Sequence, residues 1–106
     1  MFQAIKNLLG IGPKVNLADW ISEGATIIDV RSRAEYSSGH VKGSLNIPLD
    51  QLSSNLGRLK KKDQPIITCC ASGMRSGSAK SFLKSQGYTR VHNGGPWQNV
   101  AHYKKG

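Results

Sequence analysis

A chain of 106 residues, 38% apolar and 20% charged with only four prolines, has the size and composition of one folded domain rather than a disordered tail, and it can bury roughly two thirds of its unfolded surface. Its formal charge of +9 is uneven, with six Lys or Arg and no carboxylate after Asp63, so that half should attract anions. The run Lys60, Lys61, Lys62 has no aromatic residues interleaved for base stacking, which argues against a nucleic-acid partner.

Asn16 is placed to cap a short helix carrying Leu17, Trp20 and Ile21 on one face, with Asp19 in its first turn and Gly24 as its stop. The nearly continuous apolar run 25–30 then reads as a parallel strand covered on both faces. A polar turn and short helix over 32–38 lead through Gly39 and Gly43 to a second strand at 45–47, which Pro48 ends. Leu49, Leu52, Leu56 and Leu59 follow at spacings of three, four and three, one apolar stripe along a helix. A third buried strand is expected over 65–69. A helix is expected over 76–86, with Ala79, Phe82 and Leu83 inward and Gly87 as terminator. Residues 88–92 read as a further strand, residues 94–97 as a turn, and the end as a short helix through Tyr103. Strands alternating with helices at these lengths predict an α/β fold with a mainly parallel sheet and helices on both faces. Residues 1–14 are read as an N-terminal extension, 15–103 as the domain and 104–106 as a basic tail.

The stretch from Met1 to Ile11 is interrupted by Gln3, Lys6 and Asn7. It therefore offers neither a membrane span nor a signal-peptide core, and a cytoplasmic location without membrane attachment is expected. Cys69 and Cys70 are adjacent and could join only as a strained ring, so reactive thiol chemistry is the better reading. His40, His92 and His102 have no neighbours at zinc-holding spacings, so no metal and no cofactor are expected.

In an open α/β sheet, ligands bind where strands give way to helices at their carboxyl ends. Cys70, Ala71, Ser72, Gly73, Met74, Arg75 and Ser76 occupy such a junction. Inward-pointing amides of a tight loop and the free N–H groups of the following helix form an anion nest. A thiolate there is stabilised, and a free-thiol pKa of about 8.5 can fall to ~3.5–7.5 in such surroundings. Gly73 supplies the turn's backbone freedom. Arg75 can hold an anionic oxygen bidentately or brace the loop through a carboxylate. Side chains alternate on a strand, so Cys69 should point away from the nest and pack in the core, with a resolving thiol as the alternative.

These residues make the sequence similar to the rhodanese family over roughly residues 15 to 100. The resemblance rests on Ile28, Asp29, Val30 and Arg31 with Ala34, Glu35 and Tyr36; on Gly39, His40 and Val41; and on the segment 43–48, similar to the family's Gly-Ala-Ile-Asn-Ile-Pro block. It rests further on the loop 70–76 and on Gly87, Tyr88, Val91, Gly94 and Gly95. Pro96 and Trp97 depart from the family pattern by following the double glycine directly. The resemblance implies a three-layer rhodanese-like fold with a five-stranded, mostly parallel sheet. It implies a thiosulfate sulfurtransferase in which Cys70 becomes a persulfide held by residues 71–76. The implied partners are a small anionic sulfur donor, a thiol or cyanide acceptor, or a protein at either step, with a monomer expected. A non-turnover sulfur carrier is the alternative. Phosphatase or arsenate reductase activity is less favoured, because related enzymes of this fold place one more residue between cysteine and arginine than the four found here. Asp29 and Arg31 are expected to support the loops as a buried ion pair, Glu35 to be a helical partner of Arg31, and His40 to be scaffold. Met74 and Trp97 are candidates for the pocket rim, with core packing an equal reading for the tryptophan.

Overall fold

The computed structural model describes residues 16–104. The expected extension over 1–14 and the last two residues of the expected basic tail lie outside them. Helix α1 (Leu17–Ser22) is capped by Asn16, whose side chain accepts from the Asp19 amide. Strand β1 (Thr26–Asp29) follows, then helix α2 (Arg33–Ser37) and strand β2 (Leu45–Asn46). A 3-10 helix (Leu49–Arg58) precedes β3 (Ile66–Cys70), α3 (Met74–Ser85), β4 (Val91–Pro96) and α4 (Trp97–Tyr103). No helix among the described residues is long and apolar enough to cross a membrane.

The strands form one parallel sheet in the order β2-β1-β3-β4. The described residues thus contribute four strands, where the family resemblance implied five. Strands β1, β2 and β3 use the short apolar runs at 25–30, 45–47 and 65–69, whereas β4 is not an apolar run. One face of the sheet packs Ile28, Val30, Ile66, Cys70 and Val91 against Leu52 and Leu59 of the 3-10 region and Ala79 and Leu83 of α3. The other packs Ile27, Ile67 and Cys69 against Leu17, Trp20 and Ile21 of α1 and Val100 of α4. These are the three layers expected.

Several boundaries differ from the sequence reading: β3 runs one residue later than expected, and α3 begins at Met74 rather than at residue 76. The leucine stripe lies on 3-10 turns with a non-helical break at Asn55, rather than on one α-helix. Strand β4 starts at Val91, not at residue 88. Tyr88 instead finishes α3, its amide bonded to the Leu83 carbonyl, and its hydroxyl donates to the Leu59 carbonyl at 2.6 Å. Residues 94–96 continue the strand where a turn was expected. A Cβ on Gly94 would lie 2.5 Å from a Val100 methyl and 3.0 Å from the Thr68 carbonyl oxygen. That glycine therefore serves close packing of α4 and β4 on β3 rather than a reversal of the chain.

Strand order reverses between β1 and β3, because the chain leaves β1 towards β2 on one side and leaves β3 towards β4 on the other. The carboxyl ends of these two strands form the crevice where open α/β sheets bind ligands. Asp29 pairs with Cys69 there, and the Val30 amide donates to the Cys69 carbonyl.

Candidate active site

Cys70 is the last residue of β3, and α3 begins four residues later at Met74. Gly73 sits between them with φ of +102°, a conformation that side chains rarely adopt. The turn it makes folds the loop back over the sulfur. The Gly73 amide donates to Cys70 Sγ at 3.0 Å and the Ser76 amide at 3.3 Å. The Ser76 hydroxyl lies 3.3 Å from the same sulfur.

These contacts set the electrostatics of the thiol. Burial alone would push the Cys70 pKa up, but hydrogen bonding between the ionised sulfur and the Ser76 side chain, together with the Ser76, Gly73 and Ser72 amides, outweighs it and holds the thiol below its ordinary value. Cys69, one residue earlier on the opposite face, gains no such donors. Burial, with Asp29 nearby, pushes that thiol up to about 12. Alternation along a strand thus gives adjacent cysteines opposite chemistry.

Cys70 has no solvent-exposed surface, whereas Ala71 and Ser72 are exposed. A cleft of about 430 Å³ opens beside the loop, lined by Val30, Ser32, Pro48, Leu49, Asp50 and Arg75.

Arg75 lies inside α3 rather than in the loop, and it does not reach the sulfur-binding amides' ligand. Its guanidinium grips the Glu35 carboxylate, Nη1 to Oε1 at 2.7 Å and Nη2 to Oε2 at 2.9 Å. Glu35 was expected to pair with Arg31, but its carboxylate takes Arg75 and the Ser32 amide, and Arg31 reaches only its backbone carbonyl. Held this way, Glu35 is pulled down to about 2, first by the Arg75 hydrogen bonds and then by Ser32. Met74 points outward, 80% exposed.

Asp29 and Arg31 form a buried ion pair. Arg31 Nε donates to both Asp29 oxygens and Nη2 donates to Oδ2 at 2.7 Å. The remaining donors of Arg31 hold the carbonyls of Glu35 and Gly39, and its guanidinium lies 5.0 Å from the Trp97 ring centroid. Trp97 packs with the core of the second face and touches the space beside Gly39. His40 donates from Nδ1 to the Tyr36 carbonyl at 2.7 Å and stacks on the Tyr36 ring, an exposed contact within its own segment.

Two braces escaped the sequence reading. Thr68 Oγ1 donates to the Ser76 carbonyl at 2.8 Å. Asn93 of β4 accepts from the Ser76 hydroxyl at 2.6 Å and donates to the Gly73 carbonyl at 3.1 Å. Nothing local marks either residue, since Thr68 reaches from β3 to the helix after the loop and Asn93 reaches from β4 to the loop and that helix.

Comparison with known proteins bears on the family and the fold. The family model for rhodanese-like domains matches residues 14–95. The thiosulfate sulfurtransferase PspE of Escherichia coli is 36% identical over 75 residues, which cover 70% of this chain and 72% of that protein. The putative sulfur carrier protein YrkF of Bacillus subtilis is 37% identical, with 67% of this chain matching 38% of its own. The chain spans about half the length of other curated relatives, 54% and 50%. Among solved structures, the human single-domain sulfurtransferase TSTD1 superposes with a TM-score of 0.71 at 29% identity, covering 84% of this chain and 92% of that one.

Proposed function

The chain belongs to the rhodanese-like family, and from that premise we propose that it is a sulfurtransferase whose Cys70 carries the transferred sulfur as a persulfide. The observation that carries this reading is the convergence of the Gly73 and Ser76 amides on one sulfur at the sheet's topological switch point. Fixed amide dipoles favour a negatively charged sulfur over a neutral one, as an oxyanion hole favours developing charge.

Thiosulfate is the proposed donor. The Cys70 thiolate attacks its outer sulfur, the sulfur–sulfur bond of thiosulfate breaks, and the bonding pair leaves with sulfite. The charge stays on the terminal sulfur of the new persulfide. Cyanide, or the thiolate of an acceptor, then attacks that terminal sulfur, and the Cys70 thiolate is the leaving group. No external base is needed in either step, because each nucleophile enters as an anion. The four-residue spacing between Cys70 and Arg75 supports a single sulfur in the loop rather than a tetrahedral phosphate. The basic second half of the chain favours approach of an anionic donor.

Full coverage of Cys70 favours a second reading, in which a partner protein opens the loop and hands over sulfur with little turnover of free thiosulfate. The cleft beside Arg75 gives an acceptor a place to stand in either case. Turnover with thiosulfate and cyanide, set against sulfur transfer from a purified cysteine desulfurase, separates the two. Cys70→Ser abolishes both activities on this account, and aryl phosphate and arsenate are not turned over. Transfer retained by Cys70→Ser contradicts it.

A further inference from the structure

The side-chain amide of Asn93 has only one orientation compatible with its neighbours. Its Oδ1 accepts from the Gly95 amide at 2.9 Å, a donor whose proton is fixed by the backbone. Its Nδ2 faces the Gly73 carbonyl at 3.1 Å, which can only accept. The oxygen is therefore the atom 2.6 Å from Ser76 Oγ, and an amide oxygen cannot donate. The single hydroxyl proton of Ser76 must point at Asn93.

A consequence follows for the sulfur. Ser76 Oγ, 3.3 Å from Cys70 Sγ, presents lone pairs to it in this arrangement. A neutral thiol fits, donating its own proton to Ser76 Oγ and completing a chain from Cys70 through Ser76 to Asn93. A sulfur without a proton does not fit. The hydroxyl must then turn from Asn93 to the sulfur, leaving Asn93 Oδ1 with the Gly95 amide alone. Charge-assisted hydrogen bonds are roughly twice as strong as neutral ones, so the turn is favoured once charge develops but opposed by the bond it breaks.

We propose that Asn93 is a positioning residue that competes with the Cys70 sulfur for the Ser76 hydroxyl proton, so that Ser76 turns to the sulfur only when that sulfur is anionic. The inference rests on reading Cys70 as the sulfur-bearing residue. It makes the Ser76 hydroxyl a two-position donor, on Asn93 in the resting thiol and on the sulfur in the thiolate or persulfide. The other charged groups around Cys70 do not take part in the exchange. Arg75 of α3 is engaged by Glu35 of α2, Asp29 at the end of β1 and Arg31 just after it are engaged with each other, and Cys69 of β3 faces the opposite layer. His92 of β4 packs edge-on against Trp20 in that same layer.

The test is a pH titration of thiolate ultraviolet absorbance, without any sulfur donor, in the wild-type chain, Asn93→Ala, Ser76→Ala and the double variant. Cys69, pushed up to about 12, stays out of the window. Asn93→Ala frees the Ser76 proton, and the Cys70 midpoint should move to lower pH by about one pH unit, a tenfold gain in thiolate below both midpoints. In the Ser76→Ala background the same substitution should move nothing. A shift to higher pH, no shift, or an equal shift in both backgrounds means that Asn93 only braces Gly73 and overturns the proposal. If Asn93→Ala does not fold, the Asn93 carboxamide carbon signal of the wild-type chain is followed by NMR. It should move with the Cys70 midpoint and stay still in Ser76→Ala, and a signal that is still in both overturns the proposal. Because no donor is present, failure here leaves sulfur transfer untouched; failure of sulfur transfer shows separately as no added sulfur on Cys70.

Discussion

Glu35 and Arg75, 40 residues apart in sequence, meet through two parallel hydrogen bonds of 2.7 and 2.9 Å that tie the first turn of α2 to the first turn of α3. The fork-to-carboxylate geometry fixes the direction of the helix that supplies the Ser76 amide.

Both side chains are more than a third exposed, so the pair is worth more as a positioning device than as stability. Its signature is in titration. Glu35 is held down at about 2 against an ordinary value of ~4.3. A carboxyl whose folded pKa is depressed contributes stability above its unfolded pKa and loses it as pH falls towards the folded one, here from ~4.3 down to about 2. Carboxyl-carbon NMR should place the Glu35 midpoint near the lower value, and Arg75→Ala should return it most of the way, the Ser32 hydrogen bonds remaining. An ordinary midpoint in the wild-type chain would show that the pair does not persist in solution.

Asp29→Asn breaks a different kind of pair. Asp29 is fully buried and Arg31 nearly so, and removing the charge on one side strands the other in the interior. A loss of about 3–5 kcal/mol in urea unfolding is expected. Replacing both partners, Asp29→Leu with Arg31→Met, should recover much of that loss, since buried pairs often exchange neutrally for apolar side chains. Recovery of stability with continued loss of sulfur transfer would assign Arg31 to loop placement through the Gly39 and Glu35 carbonyls.

Cys69→Ala should leave sulfur transfer unchanged and cost about 1 kcal/mol of stability for the lost packing. The wild-type thiol is raised to about 12 in the fold from ~8.5 in the unfolded chain. Its contribution is therefore complete below ~8.5 and lost as pH climbs through about 12. The slope of unfolding free energy against alkaline pH should be shallower in Cys69→Ala than in the wild-type chain. Equal slopes would mean that Cys69 is not held neutral by the core.

Much of this was legible in residue order. β1 and β3 read directly because short, continuous apolar runs have few alternatives, and the loop from Cys70 to Ser76 read as an anion nest because strand end, glycine and helix start fall in succession. β4 did not. Tyr88 has strand character, but its side chain reaches the Leu59 carbonyl under the 3-10 helix. Gly94, Gly95 and Pro96 carry turn chemistry, but Gly94 is a strand residue where a methyl would collide with Val100. The partners of Glu35 and Ser76 were also out of reach. Glu35 has Arg31 at helical spacing, and only the assembled sheet brings Arg75 nearer to its carboxylate. Asn93 precedes a double glycine, where an asparagine reads as turn chemistry. Its contact with Ser76 exists only because β4 pairs with β3 in this register.

Intact-protein mass spectrometry after incubation with thiosulfate tests the central claim most directly. One added sulfur atom is expected, mapping to Cys70, absent in Cys70→Ser and removed by cyanide with the chain returned to its starting mass. No added sulfur, or sulfur found on Cys69 or retained in Cys70→Ser, would contradict a persulfide held by the Gly73 and Ser76 amides.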